Sequence, residues 1–77
     1  MEKRKELEPF SARLKGLRIE KGATQKEMAA LLGKTERHYQ DIEAGKINIP
    51  ILALVALAEY FHVSTDYLLG RCEQRNI

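Results

Sequence analysis

The chain has one cysteine, two histidines and two prolines in 77 residues, and these scarcities exclude several chemistries. A single thiol, Cys72, cannot build an intrachain disulfide framework. With His38 and His62 it makes at most three soft ligands, none at C-x-x-C or H-x-x-x-H spacing, so no structural zinc site is expected. The longest apolar run, residues 49–58, contains Pro50 and is about half of the roughly 20 residues that cross a bilayer, which makes it a core helix. The chain is too short for two lobes around a substrate cleft or for a doubly wound dinucleotide fold. No stretch alternates apolar and polar residues long enough for a strand, and repeats, low-complexity tracts and linkers are missing. The charged start Met1-Glu2-Lys3-Arg4-Lys5-Glu6 is not followed by the apolar segment of a signal peptide, so a cytoplasmic location is expected.

What remains is ordinary globular material. A hydrophobic content of 44% with 31% charged residues is enough for a core held by packing alone. The net charge of +2 does not announce a polyanionic partner, but its distribution is uneven. Residues 11–22 carry Arg13, Lys15, Arg18 and Lys21 against Glu20 alone, a net +3 that leaves −1 for the rest, so any positive face includes this segment.

Helix punctuation recurs at short intervals and predicts five helices. Pro9 suits a first turn, Phe10, Leu14 and Leu17 recur at helical spacing, and Gly22 can stop a first helix over about 9–21. Thr24-Gln25-Lys26-Glu27 is a capping box that opens a second helix running to residue 32. Thr35 can cap a third helix over about 35–44, which ends before Gly45. Pro50 opens a fourth to about residue 62, and Ser64, with Asp66 in the first turn, starts a short fifth that Gly70 closes. The expected fold class is all-α, a five-helix bundle over residues 9–70 with a polar extension at 1–8 and a tail at 71–77.

The second and third helices are joined by Gly33-Lys34 alone, which forces a sharp crossing. Gly33 tolerates the positive φ of such a turn, and Ala29 is small enough for the helices to pass closely. Met28, Leu32, Tyr39 and Ile42 then face inward. Thr35, Glu36, Arg37, Gln40 and Asp41, with His38 to one side, are left facing out.

These residues resemble the helix-turn-helix of phage repressor and Cro-type regulators, also called XRE-type, over roughly residues 10–70. The matching features are Arg18 before Gly22, the string Thr24-Gln25-Lys26-Glu27-Met28-Ala29, Leu32-Gly33, Ile42-Glu43-Ala44-Gly45-Lys46 and Pro50. They continue with Leu57-Ala58, Phe61, Val63-Ser64 and Asp66-Tyr67-Leu68-Leu69-Gly70. Each is weak alone, and the ordered set is specific.

The resemblance implies a lambda-repressor-like domain whose third helix enters the major groove of double-stranded DNA, as a small transcriptional repressor acting on a two-fold operator. Base reading then falls to Thr35, Glu36, Arg37, Gln40 and Asp41, with Arg37 suited to guanine O6 and N7. Phosphate contacts fall to Gln25, Lys26, Lys34, Tyr39, Lys46 and Asn48. Arg18 and Glu43 match positions that pair to tie the first helix to the end of the third. Two positions depart from the pattern. Lys34 stands where a small apolar residue usually plugs the turn, and Tyr39 replaces the commoner β-branched residue, so its hydroxyl needs a partner at the rim.

If Ile51, Leu54, Leu57, Ala58 and Phe61 fill the core, Leu52, Ala53, Ala56 and Glu59 lie opposite. That face, with Leu52, Ala53, Ala56 and residues near the C-terminus, is the expected homodimer contact. The alternative is an antitoxin-like or anti-repressor module that uses the apolar face of the fourth helix to meet another protein. Ser11, Ser64, His38, His62, Asp41 and Asp66 supply the residue types of a triad, but a bundle this small has little room for a shielded pocket, so no enzyme activity is expected. No cofactor, membrane or small-molecule ligand is called for by any motif.

Overall fold

The computed structural model describes residues 2–76. Five α-helices follow a 3-10 turn at Lys5–Leu7: α1 (Glu8–Lys21), α2 (Gln25–Leu32), α3 (Glu36–Glu43), α4 (Ile51–Phe61) and α5 (Thr65–Leu68). No strand occurs among the described residues.

Local chemistry sets each boundary. α1 carries Pro9 in its first turn, where a missing N–H costs nothing, and it buries Phe10, Leu14 and Leu17. The Thr24 hydroxyl accepts from the Glu27 amide at 3.0 Å while the Glu27 carboxylate accepts from the Thr24 amide at 2.8 Å, a complete capping box for α2. Gly33 ends α2 with φ 66°, a conformation that a side chain disfavours, and the chain turns at once into α3. Ala29 is buried, 3% exposed, and its carbonyl accepts from the Lys34 amide at 2.9 Å across the turn.

The core is formed by Phe10, Leu14, Met28, Tyr39, Ile42, Leu57 and Leu68 from all five helices, closed by Leu17, Ala29, Ala58 and Val63. α4 packs differently from the expected register. Ile51 is 77% exposed rather than buried, and Ala53 is 9% exposed rather than outward. At about 100° per residue, Ala53 lies about 40° from the direction of Leu57 and Ile51 about 120° away, so the centre of the buried face favours alanine. Leu54 and Phe61 are partly buried against the core. His62 caps α4 in the left-handed conformation (φ 56°), its amide bonding to the Ala58 and Glu59 carbonyls.

The described segments before α1 and after α5 both dock on the bundle. Residues 2–8 do not form a simple polar extension, because the Arg4 amide donates to the Gly45 carbonyl at 2.7 Å and α1 begins at Glu8. At the other end Arg13 donates to the Tyr67 and Cys72 carbonyls at 3.0 and 3.1 Å and lies 4.0 Å over the Tyr67 ring. Arg75 reaches Glu20 at 2.9 Å. Gly70 lets α5 press against α1: a Cβ there would stand 2.4 Å from that of Pro9. No helix among the described residues is long and apolar enough to cross a membrane.

Candidate nucleic-acid interface

α3 begins with a fixed cap and an open face. The Thr35 hydroxyl accepts from the His38 amide at 3.1 Å, which satisfies one orphan donor and leaves Thr35, Glu36, Arg37 and His38 exposed. The Arg37 side chain is 80% exposed. One turn on, Asp41 sits 3.6 Å from Arg37 Nε and is only 14% exposed, so it stands at the edge of the open face and not, as expected, fully outward. Gln40 is half-buried.

The underside of α3 is locked by one carboxylate. Glu43, 5% exposed, accepts four hydrogen bonds. Oε1 takes Arg18 Nε and Tyr39 Oη, both at 2.7 Å, and Oε2 takes Arg18 Nη2 at 3.1 Å and Gln25 Nε2 at 3.2 Å. Arg18 Nη1 also donates to the Ala23 carbonyl at 3.0 Å, and Gln40 Nε2 donates to Gln25 Oε1 at 3.3 Å. The Ser11 hydroxyl donates to the Glu43 carbonyl. α1, α2 and α3 are thereby joined through a single acid, and no buried side-chain nitrogen or oxygen among the described residues lacks a partner.

The ionisation states follow from this geometry. Burial alone would raise the Glu43 carboxyl, but hydrogen bonds from Arg18 and Tyr39, the Arg18 charge and the Gln25 amide outweigh it and hold the carboxyl below its ordinary value. Arg18 is pushed up, chiefly by its hydrogen bond to Glu43. Burial, then the bond to Glu43, pushes the Tyr39 phenol well above its usual range. The ion pair is permanent at neutral pH and the phenol stays protonated.

The residues expected to meet phosphates separate into three groups. Lys26 and Asn48 are exposed, while Lys34 and Lys46 are half-buried with Lys34 beside Leu31, Leu32 and Leu52. Gln25 is half-buried and engaged with Glu43 and Gln40, yet its amide nitrogen retains a second hydrogen. Tyr39 is the correction. It is fully buried, and its hydroxyl is spent on Glu43, so it has no surface to offer a phosphate. A tyrosine one turn before a buried glutamate on the same helix was the available signal, because i and i+4 side chains meet.

A cleft of about 320 Å³ opens beside this network, between the N-terminal segment, α1, the start of α2 and the end of α3. Lys3, Ser11, Lys15, Gln25 and Gln40 line it with the Arg18–Glu43 pair. Lys3 stands outside the expected site, because sequence patterning gives no reason for residues 2–8 to dock.

The sequence profile of the helix-turn-helix family matches residues 14–68, which include α2, the Gly33 turn and α3. The chain belongs to the XRE-type helix-turn-helix family. This XRE-type chain is 42% identical over 60 residues to the SPbeta prophage-derived uncharacterized HTH-type transcriptional regulator YonR of Bacillus subtilis (strain 168), covering 78% of this chain and 56% of that protein. A transcriptional regulator from Listeria innocua has a crystal structure similar to this one, with a TM-score of 0.76 at 34% identity over 79% of this chain and 57% of that one. The restriction-modification controller protein C.AhdI from Aeromonas hydrophila gives 0.70 at 29% identity over 80% of this chain and 94% of that one. The chain spans little more than half the length of the first two relatives.

Proposed function

We propose that this XRE-type domain binds double-stranded DNA sequence-specifically as a transcription regulator, a repressor, with α3 in the major groove. The observation that carries the reading is the two-sidedness of α3: its underside is clamped by a saturated carboxylate, while Thr35, Glu36, Arg37 and His38 stand free. The groove, about 12 Å wide, admits one helix and offers a distinct donor and acceptor pattern for each base pair. Arg37 donates to guanine, Glu36 accepts from cytosine N4, and Thr35, Gln40 and Asp41 bound the contact. Gln25, Lys26, Lys34, Lys46 and Asn48 fix the register on the backbone, and Tyr39 leaves that set.

The relatives are named as transcriptional regulators, which favours this reading over the antitoxin-like or anti-repressor module. A second copy of the chain completes the binding unit. Ile51 and Leu52, 77% and 83% exposed, with Val55 at 38%, form an apolar stripe on α4 that faces away from the core. Pairing through it presents two α3 helices to a two-fold operator and pools two modest contacts through effective concentration.

Selection from a random duplex pool at two salt concentrations tests the function. A recovered motif with two-fold symmetry, bound less tightly as salt rises, is the expected result. Recovery of unenriched pool at both salts would end the proposal.

A further inference from the structure

We propose that Ser11 on α1 is a positioning residue for base reading: together with Arg18 it grips Glu43 at two points and fixes the tilt at which α3 enters the groove. The inference rests on the DNA-binding reading. It concerns how α3 is held, and gives Ser11 no contact of its own with the duplex.

The last four carbonyls of an α-helix have no partner inside the helix. At the end of α3 three of them are met by the backbone that follows: the amides of Ala44, Gly45 and Lys46 donate to the carbonyls of Gln40, Ile42 and Asp41 at 2.9, 3.1 and 3.0 Å. The fourth belongs to Glu43 and is met from another helix, by the Ser11 hydroxyl. Arg4 extends the same attachment, its amide donating to the Gly45 carbonyl at 2.7 Å. A Cβ on Gly45 would stand 3.5 Å from those of Leu7 and Ser11, so the turn after α3 lies directly on the start of α1.

Ser11 and Arg18 are seven residues apart on α1, two turns or about 10 Å along its axis, and so share one face. Arg18 holds the side-chain end of Glu43, with Nε on Oε1 at 2.7 Å and Nη2 on Oε2 at 3.1 Å, and Ser11 holds its main-chain end. A single attachment would let α3 pivot about the carboxylate. Two attachments to one residue fix a direction, and in a helix of 8 residues a change of direction at Glu43 displaces Glu36 and Arg37 at the other end. Ser11 precedes the family-matched span, residues 14–68, so the second attachment comes from outside the matched profile.

The Ser11 side chain borders the open cleft with Glu43 and Ala44, so water can take its place on the carbonyl and Ser11→Ala still folds. Without the hydroxyl α3 samples further tilts. Base reading needs one of them, and apparent affinity falls by the fraction of molecules that hold it. One hydrogen bond of ordinary net strength corresponds to about three- to tenfold. Contacts to backbone charge tolerate the other tilts, so non-specific binding is spared.

The test compares Ser11→Ala and Ser11→Thr with the parent on the selected duplex and on a scrambled duplex of equal length. Ser11→Ala is expected to lose about three- to tenfold on the selected duplex and to keep the parent's scrambled-duplex affinity and salt slope. A repeat selection should show discrimination weakened at all base pairs read by α3 together, since they share one tilt. Without DNA, amide hydrogen exchange at Ala44 and Gly45 should quicken while α2 and α4 keep the parent's rates. Ser11→Thr, which returns a hydroxyl to the same Cβ, should restore both affinity and slow exchange.

Parent exchange rates at the end of α3 in Ser11→Ala overturn the inference before any duplex is added. A lower melting temperature with an unchanged ratio of selected to scrambled affinity leaves Ser11 a structural role only, and overturns it as well. Equal losses on both duplexes with a shallower salt slope overturn it by making the hydroxyl a phosphate contact. Slow exchange regained in Ser11→Thr without regained discrimination does the same by separating the bond from base reading. A parent that binds no duplex removes the functional reading and this inference with it, and the exchange rates tell that failure from the others.

Discussion

The Tyr39 hydroxyl donates to Glu43 Oε1 at 2.7 Å, one turn along the same helix and with neither side chain more than 5% exposed. The bond makes Tyr39 part of the clamp beneath α3. Tyr39→Phe keeps the ring in the core and removes one of the four donors to the carboxylate. An acceptor position left unpaired in a buried charged group costs about 1–3 kcal/mol. Thermal unfolding should show a fall of about 4–8 °C for each kcal/mol lost in a domain of this size. The salt slope of DNA binding should not change. A shallower slope with unchanged melting would return the hydroxyl to a phosphate.

Glu43→Ala is more damaging. Arg18, 14% exposed in its side chain, would keep its charge and lose both of its hydrogen bonds to the one carboxylate, and Tyr39 and Gln25 would lose theirs. Breaking a buried pair in this way costs about 3–5 kcal/mol, against ~0–1 for a surface pair. Chemical denaturation should report a loss in the higher range. The Arg37→Ala change, which breaks only the exposed 3.6 Å pair with Asp41, should cost almost nothing.

The clamp also fixes how stability depends on pH. The folded Glu43 carboxyl lies below its unfolded value, so its contribution is fully present above the unfolded carboxylate pKa of about 4.3 and is lost as pH falls through the folded value. The Tyr39 phenol is shifted the other way. Its contribution is present below the unfolded pKa of about 10 and is lost as pH rises beyond it. Melting temperature should therefore be flat near neutrality with an acid limb below about pH 4.3 and an alkaline limb above about pH 10. The acid limb should shrink in Glu43→Gln and the alkaline limb in Tyr39→Phe. Limbs of equal size in all three proteins would detach them from this network.

Much of this architecture is legible in the residues because it is written in local chemistry. The Thr24–Glu27 capping box and the Gly33 and Gly70 turns need only a few neighbours to define them. The register of α4 is harder, because the segment is apolar all round and its period gives no contrast. There a helical period places Ile51 inside and Ala53 outside, and the fold reverses both. The place of Tyr39 is equally hard to read: its polar tip suggests the rim, but its partner is a carboxylate buried with it. The docking of the segment before α1 uses a backbone hydrogen bond from Arg4 to Gly45, which leaves no trace in residue pattern.

Arg37 carries the sharpest prediction about specificity. Its side chain is 80% exposed and touches only Asp41 among ion-pair partners in the described residues. In the proposed complex the guanidinium leaves that weak pair for a guanine edge, where a bidentate contact is worth roughly 1–3 kcal/mol of discrimination. Arg37→Ala should relax preference at one base pair of each half-site and keep the melting temperature of the parent. Unchanged preference in a repeat selection would move the guanine contact elsewhere on α3.

The stripe on α4 yields the last prediction. Leu52, 83% exposed, makes little contribution to the fold of one chain, and a charge there is tolerated by the monomer. In a dimer built on Ile51, Leu52 and Val55, the same charge would be desolvated against apolar partners. Leu52→Glu should leave melting of the dilute protein close to the parent value and shift sedimentation at high micromolar concentration toward the monomer mass. Operator affinity should fall in parallel, because the two half-sites no longer share one binding unit, while affinity for an isolated half-site should hold. A variant that sediments as the parent does, with full operator affinity, would place the dimer contact on another face.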